Sequence, residues 1–440
     1  MINTTSFYHQ VLRISPLRAM QLFNVSRQGS LILIAILLAQ FNLPTALLGN
    51  YEQLLFLGNL LTFFWISGLV QGLLSHYPVL SEPDQKRLLF NSFFLLLGLA
   101  VGLFLLAYWA KTFLWTSLLQ QDNLLYYDLF LVYLCLNFPT HLVENFLLLQ
   151  KKGIQILLFG LFSFSLQLLL MVGPVYLGWD FRYSFYGLVV VASVKFSYLF
   201  FMVWQQGIWK LDLTLVKQWL KLSWPLVLYA ILGGLLPAYD GWLVGYLFDG
   251  DEKMFAIFRY GARELPLALA LTNAFSSAML PEIATGGHEA LIEMKRRSVK
   301  LFHLLFPLSL FLMLASDALF PLLFNEDFVA SAFVFRIYLL VIISRVVFSS
   351  TILISRQDNA MITKIGLIEL LVNILSSYIL GQYFGIAGIA MGTLLAFSLE
   401  KILQVAYLHF QHKVSPKDYL DFKWFFGYSA LLLLSFLWTL

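Results

Sequence analysis

Residues 256–270 read AIFRYGARELPLALA. The stretch sets Arg259, Arg263 and Glu264 among Phe, Leu and Ala, and the fold turns on whether it crosses a membrane. Composition decides. Sixty per cent of the 440 residues are hydrophobic and only 12% are charged, with a mean hydropathy of +0.80. A soluble chain of this size would run short of charge at its surface. Apolar runs of about 20 residues recur from end to end, each long enough to cross a ~30 Å hydrocarbon core as a helix. The fold class is therefore all-α: a polytopic membrane protein.

The pattern predicts twelve spans, near 24–44, 53–77, 88–112, 124–149, 154–178, 183–206, 224–248, 255–281, 301–324, 328–352, 362–382 and 386–409. A shorter apolar run, FFGYSALLLLSFLWTL (425–440), closes the chain and either spans or lies along the interface. With the N-terminus cytoplasmic, every second loop is basic, from Lys86 and Arg87 through Lys295, Arg296 and Arg297 to Lys413 and Lys417. Twenty of the 28 Lys and Arg residues then fall inside, against Lys111, Arg182 and Lys253 outside. That asymmetry obeys the positive-inside rule. The N-terminal twenty residues lack the short apolar core and cleavage site of a removed signal peptide. Cys135 alone makes no disulfide framework or cysteine metal cluster. The loops are short and carry no Gly-rich nucleotide motif, so energy is expected from an ion gradient or from downstream consumption.

The stretch KLDLTLVKQWLK (210–221) is amphipathic, with Lys210, Lys217 and Lys221 near one face and Trp209, Leu213 and Leu220 suited to the headgroup boundary. It divides the chain into an N-terminal six-helix bundle (1–209), an amphipathic cytoplasmic linker (210–222), a C-terminal six-helix bundle (223–410) and a tail with the short apolar helix (411–440). Gly49 and Gly250, Pro78 and Pro281, and Gly187 and Gly388 repeat at separations of 201–203 residues. Two halves of six spans share orientation, which predicts a pseudo-twofold axis along the membrane normal, a central cavity and alternating access.

Five basic residues lie within spans: Lys195, Arg259, Arg263, Arg336 and Arg345. Asp240, Glu264, Glu144 and Glu369 are acidic counterparts, with His141, Asn137, Asn145 and Asn373 as polar company. An intramembrane charge costs about 2.5 kcal/mol or far more, so such groups face a cavity or a partner. Arg259 and Arg263, at i and i+4, are expected on one helix face in the outer half of the eighth span. Internal pairing is one reading: Arg263 with Asp240, and Arg345 with Glu144. The outer-half cations outnumber their carboxylates, however, and arginine suits phosphate through its bidentate fork. Arg259, Arg263, Arg336 and Lys195 are thus candidate diphosphate-binding residues. Asp240 and Glu264 are candidates for proton or Na⁺ coupling, or for simple charge pairing. Pro266 is a candidate hinge. Glu369 and Glu400 read as interfacial. Gly388 and Gly392 in GIAGIAMG read as close helix packing. No catalytic constellation, metal motif or cofactor site emerges.

The seventh and eighth spans, WPLVLYAILGGLLPAYDGWLVGYLFDGDEKMFAIFRYGARELPLALALTNAFSSAMLPEIA, carry a resemblance. Pro225 opens the seventh span, Asp240 precedes a short outer turn, Ala256 to Tyr260 begin the next helix and Pro281 closes it. With FGIAGIAMGTLLAF in the twelfth span, the chain resembles the multidrug/oligosaccharidyl-lipid/polysaccharide exporter superfamily, and within it the O-antigen type lipid-linked oligosaccharide flippases of polysaccharide biosynthesis. The resemblance implies a flippase in the bacterial inner membrane that carries undecaprenyl-diphosphate-linked oligosaccharide between leaflets, alongside other surface-polysaccharide assembly proteins. Cavity cations would hold the diphosphate; Arg259 and Arg263 match that lining in character. Many relatives carry two further spans, whereas this chain shows one short apolar run after the twelfth.

Two alternatives stand beside it. A cation-coupled multidrug exporter of the same superfamily would prefer an acidic, aromatic cavity. A membrane glycan polymerase or transferase would need a substantial outer loop, and loops here are as short as LFDGDEKMF (247–255). Nothing in the charge pattern suggests nucleic acid; the expected partners are lipid-linked glycan, membrane lipid and a proton or Na⁺ gradient.

Overall fold

The computed structural model describes residues 15–41, 43–263 and 265–439, with only the backbone of Leu17, Tyr229, Leu232, Pro266 and Asn359. Arg13 and Glu264 lie outside the described residues. Among those described, the chain is helical and holds no strand. It gathers into two compact units, Met1–Ala238 and Tyr239–Leu440.

The first unit contains α1 (Pro16–Gln40), α2 (Thr45–His76), α3 (Glu82–Trp109), α4 (Tyr127–Leu149), α5 (Gly153–Tyr176) and α6 (Arg182–Gln206), then most of α7 (Leu213–Leu247). Serine caps with a proline in the first turn start two of these helices. Ser15 and Ser81 each accept a backbone N–H of the first turn, while Pro occupies a position whose N–H would have no partner. The core runs through Phe23, Leu69, Leu73, Phe138, Phe146 and Trp219. Trp219 is fully buried and its indole N–H donates to the Leu69 carbonyl at 3.0 Å. Gly68 and Gly72 explain how α7 comes so close to α2, since a Cβ on either would overlap Val227 or Ser223. The amphipathic stretch is therefore partly the opening of α7, with Leu215 and Trp219 buried and Lys217 and Lys221 exposed. Further along, α7 bends by 51° between Leu213–Leu228 and Gly233–Leu247. Pro237 lacks the N–H that would bond Gly233, and the Gly233–Gly234 pair offers little resistance to the bend.

The second unit holds the end of α7, α8 (Glu252–Gly261), α9 (Pro266–Leu323), α10 (Val329–Leu340), α11 (Ser349–Ser355), α12 (Asn359–Phe410) and α13 (Phe422–Trp438). Two of these helices reverse direction. Arg297 reaches Glu282 at 2.9 Å although 15 residues separate them, so α9 folds back at Gly287, whose φ is 56°. Asn373 reaches Thr393 at 3.1 Å across 20 residues, so α12 folds back at Gly385, with φ 60°. Both glycines occupy backbone conformations nearly closed to other residues.

Nine described helices are long and apolar enough to span, and a tenth if bent α7 counts as one span. Because α9 and α12 each contain a hairpin, the set accommodates the twelve spans expected. The protein is a multi-pass membrane protein. The C-terminal helix α13 has 17 residues, about 25 Å of rise. It lies against α9, where Tyr428 bonds His303 at 2.7 Å and stacks on Phe306.

Three elements differ from the sequence expectation. The eighth span is not one kinked helix: α8 ends at Gly261 and α9 begins at Pro266, since proline has no N–H to give the Ala262 carbonyl. The tenth span is interrupted between α10 and α11. Residues 288–300, read as a loop, continue the second arm of α9 as helix.

Replacing Gly388 by Ala tests the α12 hairpin, since a Cβ there falls on the Leu380 carbonyl, which cannot move without unwinding the helix. The expected cost is about 1–3 kcal/mol, read as a lowered midpoint of thermal unfolding in detergent. Gly366→Ala, where a Cβ meets nothing, should leave the midpoint unchanged or raised.

Candidate functional site: a buried carboxylate held by four helical segments

Asp240, on the second arm of α7, is 3% exposed. A carboxylate withdrawn from water this far needs hydrogen bonds, and three side chains supply them. Thr393, on the second arm of α12, donates to Asp240 Oδ2 at 2.7 Å. Tyr338 of α10 donates to the same oxygen at 3.4 Å. Asn373, on the first arm of α12, approaches Oδ1 at 3.5 Å and donates to Thr393 Oγ1 at 3.1 Å and Ser377 Oγ at 3.3 Å. The Ile389 carbonyl accepts from Ser377 at 3.2 Å and lies 3.3 Å from Thr393 Oγ1, whose single proton is given to Asp240. Next to the carboxylate, Tyr239 donates to the Ile374 carbonyl at 2.9 Å, fastening α7 to α12.

Small residues make the arrangement. A Cβ on Gly392 would fall on Ser377, so only glycine lets the two arms of α12 approach until Asn373 and Thr393 share one carboxylate. The result is an oxygen-rich pocket of one carboxylate, two hydroxyls, a phenol, an amide and a carbonyl. Asn373 Oδ1 is buried and finds no partner among the described residues. Such a set can hold a proton or a small hard monovalent cation. Among the described residues no group of three or more His, Cys, Asp or Glu is placed to hold a metal.

The other candidate residues are dispersed. Arg259 is half-buried on α8, whose neighbours Phe255, Ala256, Phe258 and Tyr260 are all buried. Arg263 lies beyond the end of α8, not one turn further along it, which corrects the shared-face expectation. Its Nε donates to the Arg259 carbonyl at 3.4 Å and its guanidinium sits over the Tyr260 ring at 4.9 Å. A cation at a helix C-terminus complements the dipole there. Ser331 bonds the Ile257 carbonyl at 2.7 Å, and Gly261 packs on the Ser331 backbone, so α8 is clamped to α10. Arg336 is 6% exposed and pairs with Asp317 at 2.9 Å, a carboxylate that the sequence reading did not weigh. In the first unit, Lys195 donates to Asn137 Oδ1 at 2.6 Å, and His141 bonds Glu144 at 3.2 Å. The Arg345 guanidinium lies over Phe397 at 4.6 Å. Glu264 and the Pro266 side chain fall outside the described residues.

Elsewhere in the second unit, Asp358 accepts from His412 at 3.0 Å and Tyr407 at 2.8 Å. These bonds, that from His412 foremost, hold its carboxyl below the usual carboxylate range and tie the turn after α11 to the foot of α12.

Sequence reasoning found Asp240 and noted Asn373 but missed Tyr338, Ser377 and Thr393. A signal for two of them was present: Ser377 follows Asn373 by one helical turn, and Thr393 follows Gly392 of the packing motif.

The fold is that of polytopic transporters. A solved structure described as lipid II flippase MurJ in an inward closed conformation superposes with a TM-score of 0.66, at 15% identity over 94% of this chain and 97% of that one. An inward-facing multidrug resistance MATE family transporter of the MOP superfamily gives 0.64, at 14% identity over 92% and 94%. A mutant form of the Vibrio cholerae MATE transporter VcmN gives 0.60, at 13% identity over 94% and 99%. The family model described as lipid II flippase MurJ matches residues 251–439, which is nearly all of the second unit. No curated protein matches the chain.

Thr393→Val should leave Asp240 without its shortest bond and cost about 1–3 kcal/mol of stability, as expected for a buried acceptor left unsatisfied. Thr393→Ser should keep most of it; thermal unfolding of the two variants side by side measures the difference.

Proposed function

We propose that the chain is a flippase for a lipid-linked saccharide whose headgroup carries a diphosphate, working in a bacterial inner membrane. The match of residues 251–439 to the lipid II flippase family model carries this reading. The likeness in fold to the MurJ structure over 94% of the chain is consistent with it. The protein acts as a carrier and not as a catalyst, moving its cargo from the cytoplasmic to the outer leaflet by alternating access for surface-glycan assembly. The finer assignment is an undecaprenyl-diphosphate-linked oligosaccharide of polysaccharide biosynthesis.

Arg259 and Arg263 are the proposed diphosphate contacts. Arg259 lies in the last turn of α8, and Arg263 follows the end of that helix, with its Nε on the Arg259 carbonyl. Lys195 belongs to the same proposal. Arg336 is a weaker member because Asp317 already takes its charge. Asp240 is the proposed coupling site, alternately loaded and emptied of a proton or Na⁺. The second reading is a multidrug exporter, favoured by the MATE structures of the same fold.

Depletion in the host should accumulate diphosphate-linked saccharide in the cytoplasmic leaflet. Complementation with Arg263→Ala should restore transport about 10- to 100-fold less well than the wild type, the cost of a lost charge-assisted hydrogen bond. A normal leaflet distribution combined with new sensitivity to cationic drugs would transfer the assignment to the exporter, and unpolymerised glycan on the outer face would transfer it to an enzyme.

A further inference from the structure

Below Asp240, the first arm of α12 carries Glu369, Asn373 and Ser377 at successive i, i+4 positions, hence on one helix face. Asn373 and Ser377 belong to the Asp240 cluster. Glu369 does not: it is 8% exposed and forms no hydrogen bond or ion pair among the described residues. A carboxylate placed in this way demands a reason, because leaving it there ionised and unpartnered is expensive.

Its surroundings give one. Glu400, Lys401 and Arg345 are its charged neighbours. Lys401 pairs with Glu400 at 3.0 Å and reaches Ser350 Oγ at 3.3 Å. Glu400 accepts from Gln404 at 2.6 Å, and Gln404 accepts from Ser349 at 2.8 Å. A chain of polar groups therefore continues from Glu369 toward the inner end of the unit. A void of about 10 Å³ is lined by Tyr338, which bonds Asp240, and by Arg345, a neighbour of Glu369, together with six apolar residues. That is close to the ~10–15 Å³ one water requires. The void lies beside Val341, the one turn residue between α10 and the short helix Ile342–Arg345.

We propose that Glu369 is a proton relay between Asp240 and the cytoplasmic side. The inference rests on the reading of Asp240 as the coupling site. The proton leaves the Asp240 carboxyl, which becomes a carboxylate, and passes by way of water beside Tyr338 to a Glu369 carboxylate oxygen. From there it leaves past Glu400 and Gln404 to cytoplasmic water, returning Glu369 to its starting form. Glu369 suits a proton and not a metal cation: a proton needs one oxygen, whereas a sodium ion needs a shell of them, which only the Asp240 cluster assembles.

The test uses the full-length protein in proteoliposomes loaded with a pH-sensitive dye, oriented by protease accessibility. Proton uptake after a pH jump on the cytoplasmic face is measured beside ²²Na⁺ binding for wild type, Asp240→Asn, Glu369→Gln and Glu369→Asp. Glu369→Gln should slow proton exchange by about 100-fold, the worth of a positioned proton-transfer group, with Glu369→Asp recovering part of the rate. Equal unfolding midpoints for the variants would set aside misfolding. If Asp240→Asn abolishes proton exchange and Glu369→Gln leaves the rate unchanged, the relay falls and the coupling site stands. If Asp240→Asn exchanges protons as fast as wild type, the coupling reading itself falls. Sodium binding at Asp240 with no proton exchange overturns the relay.

Discussion

The bond from Thr393 to Asp240, 2.7 Å long and fully buried, is the contact on which the architecture of the second unit converges. A carboxylate in hydrocarbon surroundings must be neutralised or surrounded by donors. Surrounding this one requires four helical segments to meet at a point. That requirement places glycine at 392, where the arms of α12 touch, and glycine at 385, where the chain reverses. It also sets α10 close enough for Tyr338 to reach in. The packing motif and the polar cluster are one feature: the glycines create the closeness that the hydrogen bonds then use.

The broken eighth span follows the same logic. Pro266 prevents a continuous helix, and the chain meets the exposed carbonyls at the end of α8 with a guanidinium, Arg263 on the Arg259 carbonyl. Tyr260 supports that cation with its ring and is itself stacked on Phe328 at 4.5 Å. Arg263, which looks misplaced in the sequence, therefore has a structural role at a helix end; the diphosphate contact proposed for it and Arg259 would be additional to that role.

Much of the fold was legible because long apolar runs separated by short polar loops admit few other readings. The hairpin at Gly385 was legible too, falling between the spans expected at 362–382 and 386–409. The interruption of the tenth span was not, since VIISRVVFSS (341–350) carries neither glycine nor proline to mark a break. The site was half legible. An aspartate in an apolar run announces itself, but Tyr338, Ser377 and Thr393 are ordinary residues in spans and gain meaning only when the helices bring them to it. Asp317, inside the span expected at 301–324, was overlooked although it pairs with Arg336.

The most direct measurement of the central claim is reconstitution. Purified protein would be placed in liposomes with a fluorescent polyprenyl-diphosphate-linked disaccharide, and the fraction protected from an external quencher followed over time. The account expects protein-dependent exchange between leaflets that Asp240→Asn suppresses. Liposomes in which the labelled lipid stays in its starting leaflet while a cationic dye is carried across would contradict it.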